Sequence, residues 1–202
     1  MRVSRVQAEE NRQAVINVAS RLFREHGFDG IGLKDLMKAA GLTQGAFYKQ
    51  FASKEDLTVQ ASKRALESAS GRWTSATATN PEDPLGEVIG FYLSDGHRKE
   101  RTDGCPIVAL GSDVARHGTE VKASFEAGIR THLDVIERLI SQTQDEEFTS
   151  KAMAILSMMV GALTLARAIN DPVLAQAFLD SASMQIRKIA DARMNGIAPG
   201  KG

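Results

Sequence analysis

Apolar residues first recur at helical spacing at Val15, Val18, Ala19, Leu22 and Phe23, one face of a helix that Gly27 would close with a left-handed cap. Leu33, Leu36, Met37 and Ala40 predict a second, short helix stopped by Gly41. Thr43 offers an N-cap hydroxyl to a third helix over 44–50. Ser53 with Asp56 resembles a capping box, with Asp in place of the usual Glu or Gln, and opens a fourth helix through Leu57, Ala61 and Ala65. Further on, Asp83-Pro84 reads as an N-cap followed by Pro at the first helical position, leading a helix over 85–93. The polar stretch 94–104 reads as a loop, and Cys105-Pro106 starts a helix to about residue 117. Thr119 caps a long amphipathic helix bearing Val121, Phe125, Ile129, His132, Leu133, Ile136 and Ile140, and a helix from about 146 to 169 is apolar on most sides. Asn170-Asp171-Pro172 breaks the chain before a last helix with Leu174, Phe178, Ile186 and Ile189.

No alternating Val/Ile/Thr runs bounded by turn dipeptides interrupt this series, so the expected class is all-α. The helix lengths divide it into an N-terminal helix-turn-helix unit over 1–54, a larger helical unit over 55–194 reached through the fourth helix, and a flexible tail over 195–202. Composition changes this picture in one respect. The 202 residues carry 25 Lys+Arg and 25 Asp+Glu, a formal charge of zero that argues against a polybasic nucleic-acid coat. Residues 1–64, however, hold 11 basic and 7 acidic residues, a net +4, against 14 and 18, a net −4, in the rest. No uninterrupted apolar run approaches the ~18 residues of a membrane span, and no signal-peptide stretch opens the chain. A single cysteine, Cys105, cannot form an internal disulfide, which fits a cytoplasmic protein.

The segment from Gly32 to Phe51 carries the most information. Two helices joined by a short turn containing glycine form a helix-turn-helix, with Ala40 small at the crossing, Gly41 turning the chain, and Leu42 and Phe47 as core plugs. That geometry sends the N-terminal end of the third helix outward, where it can enter a major groove. Over about 45 residues, from Ala14 to Leu57, the strings LeuPheArgGluHisGlyPheAspGly, AlaAlaGlyLeuThrGlnGlyAlaPheTyrLysGlnPhe and SerLysGluAspLeu resemble the DNA-binding signature of the TetR family of transcriptional regulators. The resemblance implies that Gln44, Gly45 and Ala46 face base edges. Gln44 is the best reader, because its amide can bond adenine N6 and N7. It also implies that Lys34 contacts a base or phosphate, and that Thr43, Tyr48, Lys49, Gln50 and Lys54 hold the DNA backbone. Two departures are Gly32, where Ser or Thr usually caps the second helix, and Gly45, which stiffens the third helix little.

For the acidic half, the resemblance implies binding of a small-molecule effector and homodimerisation through the last two helices. The excess apolar surface over 152–165 independently asks for a partner. A two-fold dimer would place two recognition helices about 34–36 Å apart on a near-palindromic operator, giving a repressor released by its effector. A pocket would draw on Trp73, Phe91, Tyr92, Cys105, Phe125, His132 and Met158, all of which also suit plain core packing. Cys105 at a helix start, after Arg98, Lys99 and Arg101, admits a second reading as a redox or electrophile sensor of the same fold. A third is a helical interaction protein that no longer reads DNA. An enzyme is not expected: the four His residues lack metal spacing, and no HExxH, P-loop or GxSxG occurs. Accordingly no catalytic residue, metal, cofactor or membrane partner is expected.

Overall fold

A computed structural model describes the backbone of residues 4–140 and 146–191; the tail expected over 195–202 lies outside the described residues. The described residues form helices α1 (Arg5–His26), α2 (Leu33–Ala39), a 3-10 helix (Gln44–Lys49), α3 (Lys54–Thr77), α4 (Pro84–Tyr92), α5 (Asp95–Lys99), α6 (Pro106–Val114), α7 (Thr119–Ile140), α8 (Glu146–Ala168) and α9 (Pro172–Asp191), with no strand. The all-α expectation holds.

Local chemistry sets most of the boundaries. Ser53 Oγ accepts the Asp56 N–H at 3.0 Å, and Asp56 Oδ2 accepts the Ala52 N–H at 3.0 Å. The capping box therefore forms with the shorter Asp, its return bond reaching one residue further back than usual. Asp83 Oδ1 caps α4 through the Gly86 N–H at 2.9 Å, with Pro84 at the first turn. Gly27 and Gly41, at φ 78° and 73°, are the positive-φ positions among the described residues and end α1 and the turn after α2.

Three expectations are corrected. The third helix is a tighter 3-10 helix rather than an α-helix. Thr43 makes no side-chain cap bond and Gly45 sits inside, so little favours the longer α-helical ladder over six residues. The polar stretch 94–104 is not all loop: Ser94 Oγ accepts the His97 N–H at 3.0 Å and starts α5, whose Arg98 and Lys99 pair with Asp95. The helix after Cys105 ends at Val114 rather than near 117. A fourth point qualifies the search for membrane spans. Thr149–Ala168, mean hydropathy 1.4, is long and apolar enough to cross a bilayer by length and composition, because Lys151 and Arg167 near its ends and Ser, Thr and Gly between them break its apolar run without making it polar. Its residues Ile155, Met159, Leu163 and Ala166 are buried against the helical core.

Two cores share α3. Val15, Ala19, Phe23, Phe28, Leu36, Met37, Phe47 and Phe51 pack with Leu57 and Ala61 of its first turns, and Leu110, Val121 and Phe125 of α6 and α7 close that core from the far side. Trp73 near the other end of α3 joins Ile89, Tyr92, Ile136, Ile155, Met159, Leu179 and Ile186. Polar bonds cross the same boundary. Arg24 of α1, 5% exposed, donates to Ser20 O at 2.9 Å, Gly104 O at 3.1 Å and Asp103 Oδ1 at 3.3 Å. Asp113 of α6 accepts the Phe28 N–H at 3.1 Å.

Because Gly104 is buried, removing its donor strands a carbonyl as well as deleting the guanidinium. Arg24→Met is expected to destabilise the fold by roughly 2–4 kcal/mol, read as a lower urea midpoint with an unchanged slope. A shift smaller than that of an exposed control such as Arg116→Met would contradict the assignment.

Candidate nucleic-acid interface and effector domain

After α2 the chain reverses through two bonds, Leu42 N–H to Met37 O at 2.8 Å and Gly41 N–H to Lys38 O at 3.0 Å, the paired pattern that a left-handed Gly41 permits. The following 3-10 helix is anchored by Phe47, fully buried, stacked on Phe51 at 5.3 Å and edge-on to Tyr48 at 5.2 Å. With Phe47 as the pivot, Thr43, Gln44, Gly45, Tyr48 and Lys49 all face solvent, and Tyr48 is 68% exposed despite its aromatic ring. Lys34 of α2 is exposed as well, whereas Ala46 and Gln50 are half-buried. Lys54 is also half-buried, its ammonium 3.8 Å from Asp29. Arg12 lies over the Phe51 ring at 5.2 Å and bonds Gln60 at 2.5 Å, which steadies the floor beneath this surface. The arrangement offers exposed polar and cationic groups over the smaller core.

The residues expected to line an effector pocket fall into two groups. Trp73, Tyr92, Cys105 and His132 come together in the larger core, Trp73 edge-on to His132 at 4.5 Å and to Tyr92 at 5.7 Å, each at most 3% exposed. They fill one another's space as core in this conformation. Phe91 instead stacks on His97 at 5.4 Å, Met158 is half-buried on α8, and Phe125 belongs to the smaller core. Phe125 also lines a cleft of about 500 Å³ between α6, α7 and α8, with Ile107, Val114, Ile129, Leu133 and Met153. Among the described residues no group of three His, Cys, Asp or Glu is placed to hold a metal.

His97 lies in the polar stretch expected to be a loop, yet it organises the start of α6. Its Nδ1 bonds Tyr92 O at 2.7 Å and its Nε2 accepts the Cys105 N–H at 3.0 Å, which fixes the neutral tautomer with the proton on Nδ1. Burial, and to a lesser degree the positive charge of Arg167 and Arg72, lowers its pKa to about 4, although the Tyr92 carbonyl opposes the shift. Burial likewise lowers His132, whose ring bonds Gly128 O at 2.8 Å, and raises the Tyr92 hydroxyl well above its ordinary range. The Ser94 N-cap with Asp95 in the first turn was the local signal for this helix. Nothing local signals where the His97 ring points.

The comparisons with known proteins fit this geometry. A family model described as "Bacterial regulatory proteins, tetR family" matches residues 15–61, from the middle of α1 to the first turns of α3. Residues 15–61 are therefore those of a TetR-family DNA-binding unit. The chain is 22% identical to the HTH-type transcriptional repressor NemR of Escherichia coli K12 over 67% of its own length and 70% of NemR's. It is 34% identical to the HTH-type transcriptional regulator AcrR of Shigella flexneri over 50% of its length and 48% of AcrR's. The crystal structure of reduced E. coli NemR superposes with a TM-score of 0.73 at 20% identity, covering 89% and 96% of the two chains. A TetR-family regulator from Cytophaga hutchinsonii superposes with a TM-score of 0.77 at 18% identity, covering 96% and 100%. The protein is therefore a DNA-binding transcriptional regulator and not an enzyme.

The His97 geometry carries a pH dependence. A buried base with a lowered pKa binds its proton in the unfolded chain first, so stability is complete above about 6.5 and falls as pH drops towards 4. Between pH 7.5 and 5.5 the urea midpoint is expected to fall, and His97→Asn should flatten that slope. A variant slope equal to the parent's would locate the titration elsewhere.

Proposed function

We propose that this chain is a homodimeric repressor that binds a near-palindromic operator and is released by a small-molecule effector. The observation carrying the reading is the exposed row Thr43, Gln44, Gly45, Tyr48 and Lys49 held over the buried Phe47. In it Gln44 reads a base, Ala46 offers an apolar contact, and Lys34, Thr43, Tyr48, Lys49, Gln50 and Lys54 hold phosphates. The 1–54 unit reads DNA, and the 55–194 unit dimerises and takes the effector. Leu165 on α8 and Val173, Leu174, Phe178 and Met184 on α9, between 37% and 76% exposed, support pairing of these two helices across a two-fold axis. The effector enters the apolar cleft between α6, α7 and α8, because α6 also touches the DNA-reading core through Leu110 and Val114. A protein of this kind works in the cytoplasm.

The burial of Cys105, 3% exposed, favours release by direct binding over a redox trigger, since oxidants and electrophiles react with accessible thiolates. The exposed polar row on the 3-10 helix likewise favours DNA over a purely protein partner.

Operator sequences selected from a random duplex pool should be near-palindromic, with half-site centres one helical turn apart. On that operator Gln44→Ala should weaken binding by roughly 1–3 kcal/mol and relax preference at one position per half-site. Lys34→Ala should weaken all sequences alike and reduce the salt slope by about one. Gel shifts in which Gln44→Ala changes nothing would remove the base-reading role. For the dimer, Phe178→Asp should convert the species seen in sedimentation from dimer to monomer and weaken operator binding with it. A dimer that survives unchanged would place the interface away from α9.

A further inference from the structure

We propose that the cleft of about 310 Å³ between α1 and α8, walled by Arg24, Arg101 and Arg167, is a binding site for a small organic carboxylate. Its walls bring arginines from three separate elements to one space: Arg101 and Arg167 can offer guanidinium donors, while the Arg24 side chain is 1% exposed and its three nitrogens are bonded within the protein. Arg24 comes from the DNA-reading unit, Arg101 from the loop after α5, and Arg167 from the last turn of α8; Glu25 is the one carboxylate among the lining residues.

The cations are unequally compensated. Arg24 has Asp103 at 3.3 Å, and Asp103 is shared with Arg21 at 2.9 Å. Arg167 is held by backbone carbonyls alone, donating to His97 O at 2.9 Å, Arg98 O at 3.1 Å and Glu100 O at 2.7 Å. Among the described residues no carboxylate lies within ion-pairing distance of it. Arg101 is exposed and has no hydrogen bond or ion pair among the described residues. Burial lowers the pKa of both Arg24, to about 10, and Arg167; the Asp103 charge opposes the shift at Arg24, and the Arg101 charge adds to it at Arg167. A partly buried, under-compensated cluster of like charges gains from a bound anion. Guanidinium donors match a planar carboxylate, and Arg167 keeps both Nη1 hydrogens outside the bonds just given.

Val108 and Ala168 supply an apolar wall, which suits an acid with a small hydrocarbon body better than a bare ion. The volume lies at the lower end of ordinary ligand sites. The site differs from the α6–α7–α8 cleft and is independent of the operator reading. Because α1 and α8 both line it, a bound acid would bridge the DNA-reading unit and the proposed dimer helices.

Calorimetric titration of the full chain with benzoate tests the proposal, with neutral benzamide as the shape-matched control. Benzoate should bind saturably, and benzamide at least about tenfold more weakly. Arg101→Ala, at an exposed position with no partner to lose, should weaken benzoate by about tenfold while leaving thermal unfolding without ligand unchanged. That factor corresponds to one charge-assisted contact. Arg130→Ala, at the rim of the other cleft, should leave benzoate affinity alone. Equal binding of benzamide, no saturable binding of benzoate, or a loss with Arg130→Ala but not Arg101→Ala would each overturn the assignment.

Discussion

The 24-residue helix α3 belongs to two hydrophobic cores at once, and the placement of each core relative to the other depends on that. Leu57 and Ala61 are fully enclosed with Phe47 and Phe51, while Trp73, four turns further along, is enclosed with Tyr92 and Ile136. A helix gripped at both ends ties the packing of one core to that of the other along its axis. The grip is reinforced on the other side, where Asp113 of α6 holds the Phe28 N–H and Arg24 of α1 holds Gly104 O. Such dual membership gives a two-unit protein a mechanical link without a flexible tether.

The polar bonds at this boundary share one character. They join a charged side chain on a helix to backbone atoms of a loop or of the short helix α5: Arg24 to Gly104, Arg167 to His97, Arg98 and Glu100, and Asp113 to Phe28. Backbone groups cannot be replaced by substitution, so the geometry of the 97–104 segment is fixed by arginines some seventy to eighty residues away in the chain. The zero net charge conceals this. Charges that cancel in the sum are sorted in space, with Arg21, Arg24 and Arg167 converging on a segment whose own carboxylates serve largely to hold it.

What the sequence made legible was local. The caps at Ser53 and Asp83, the reversal at Gly41 and the plug at Phe47 each follow from chemistry within a few residues, and each stands where the pattern put it. The exposed faces of Gln44 and Lys34 follow from helical spacing in the same way. The 3-10 form of the reading helix was not legible, since the difference between two helical ladders over six residues is smaller than the bias that spacing carries. Nor was the dense packing of Trp73, Tyr92, Cys105 and His132, because an apolar helix face signals burial equally whether its neighbour is a side chain or a ligand. The arginine bonds to the carbonyls of segment 97–104 are non-local, and no periodicity encodes them.

Gly45 has one further consequence. A Cβ built there meets no atom within 4 Å, and its neighbour Gln44 is equally free of the core. The fold places no steric condition on either position, so substitutions there pass without disturbing Phe47 beneath. Side-chain chemistry at both positions can therefore vary by single steps, each one a folded protein, while the scaffold stays as it is.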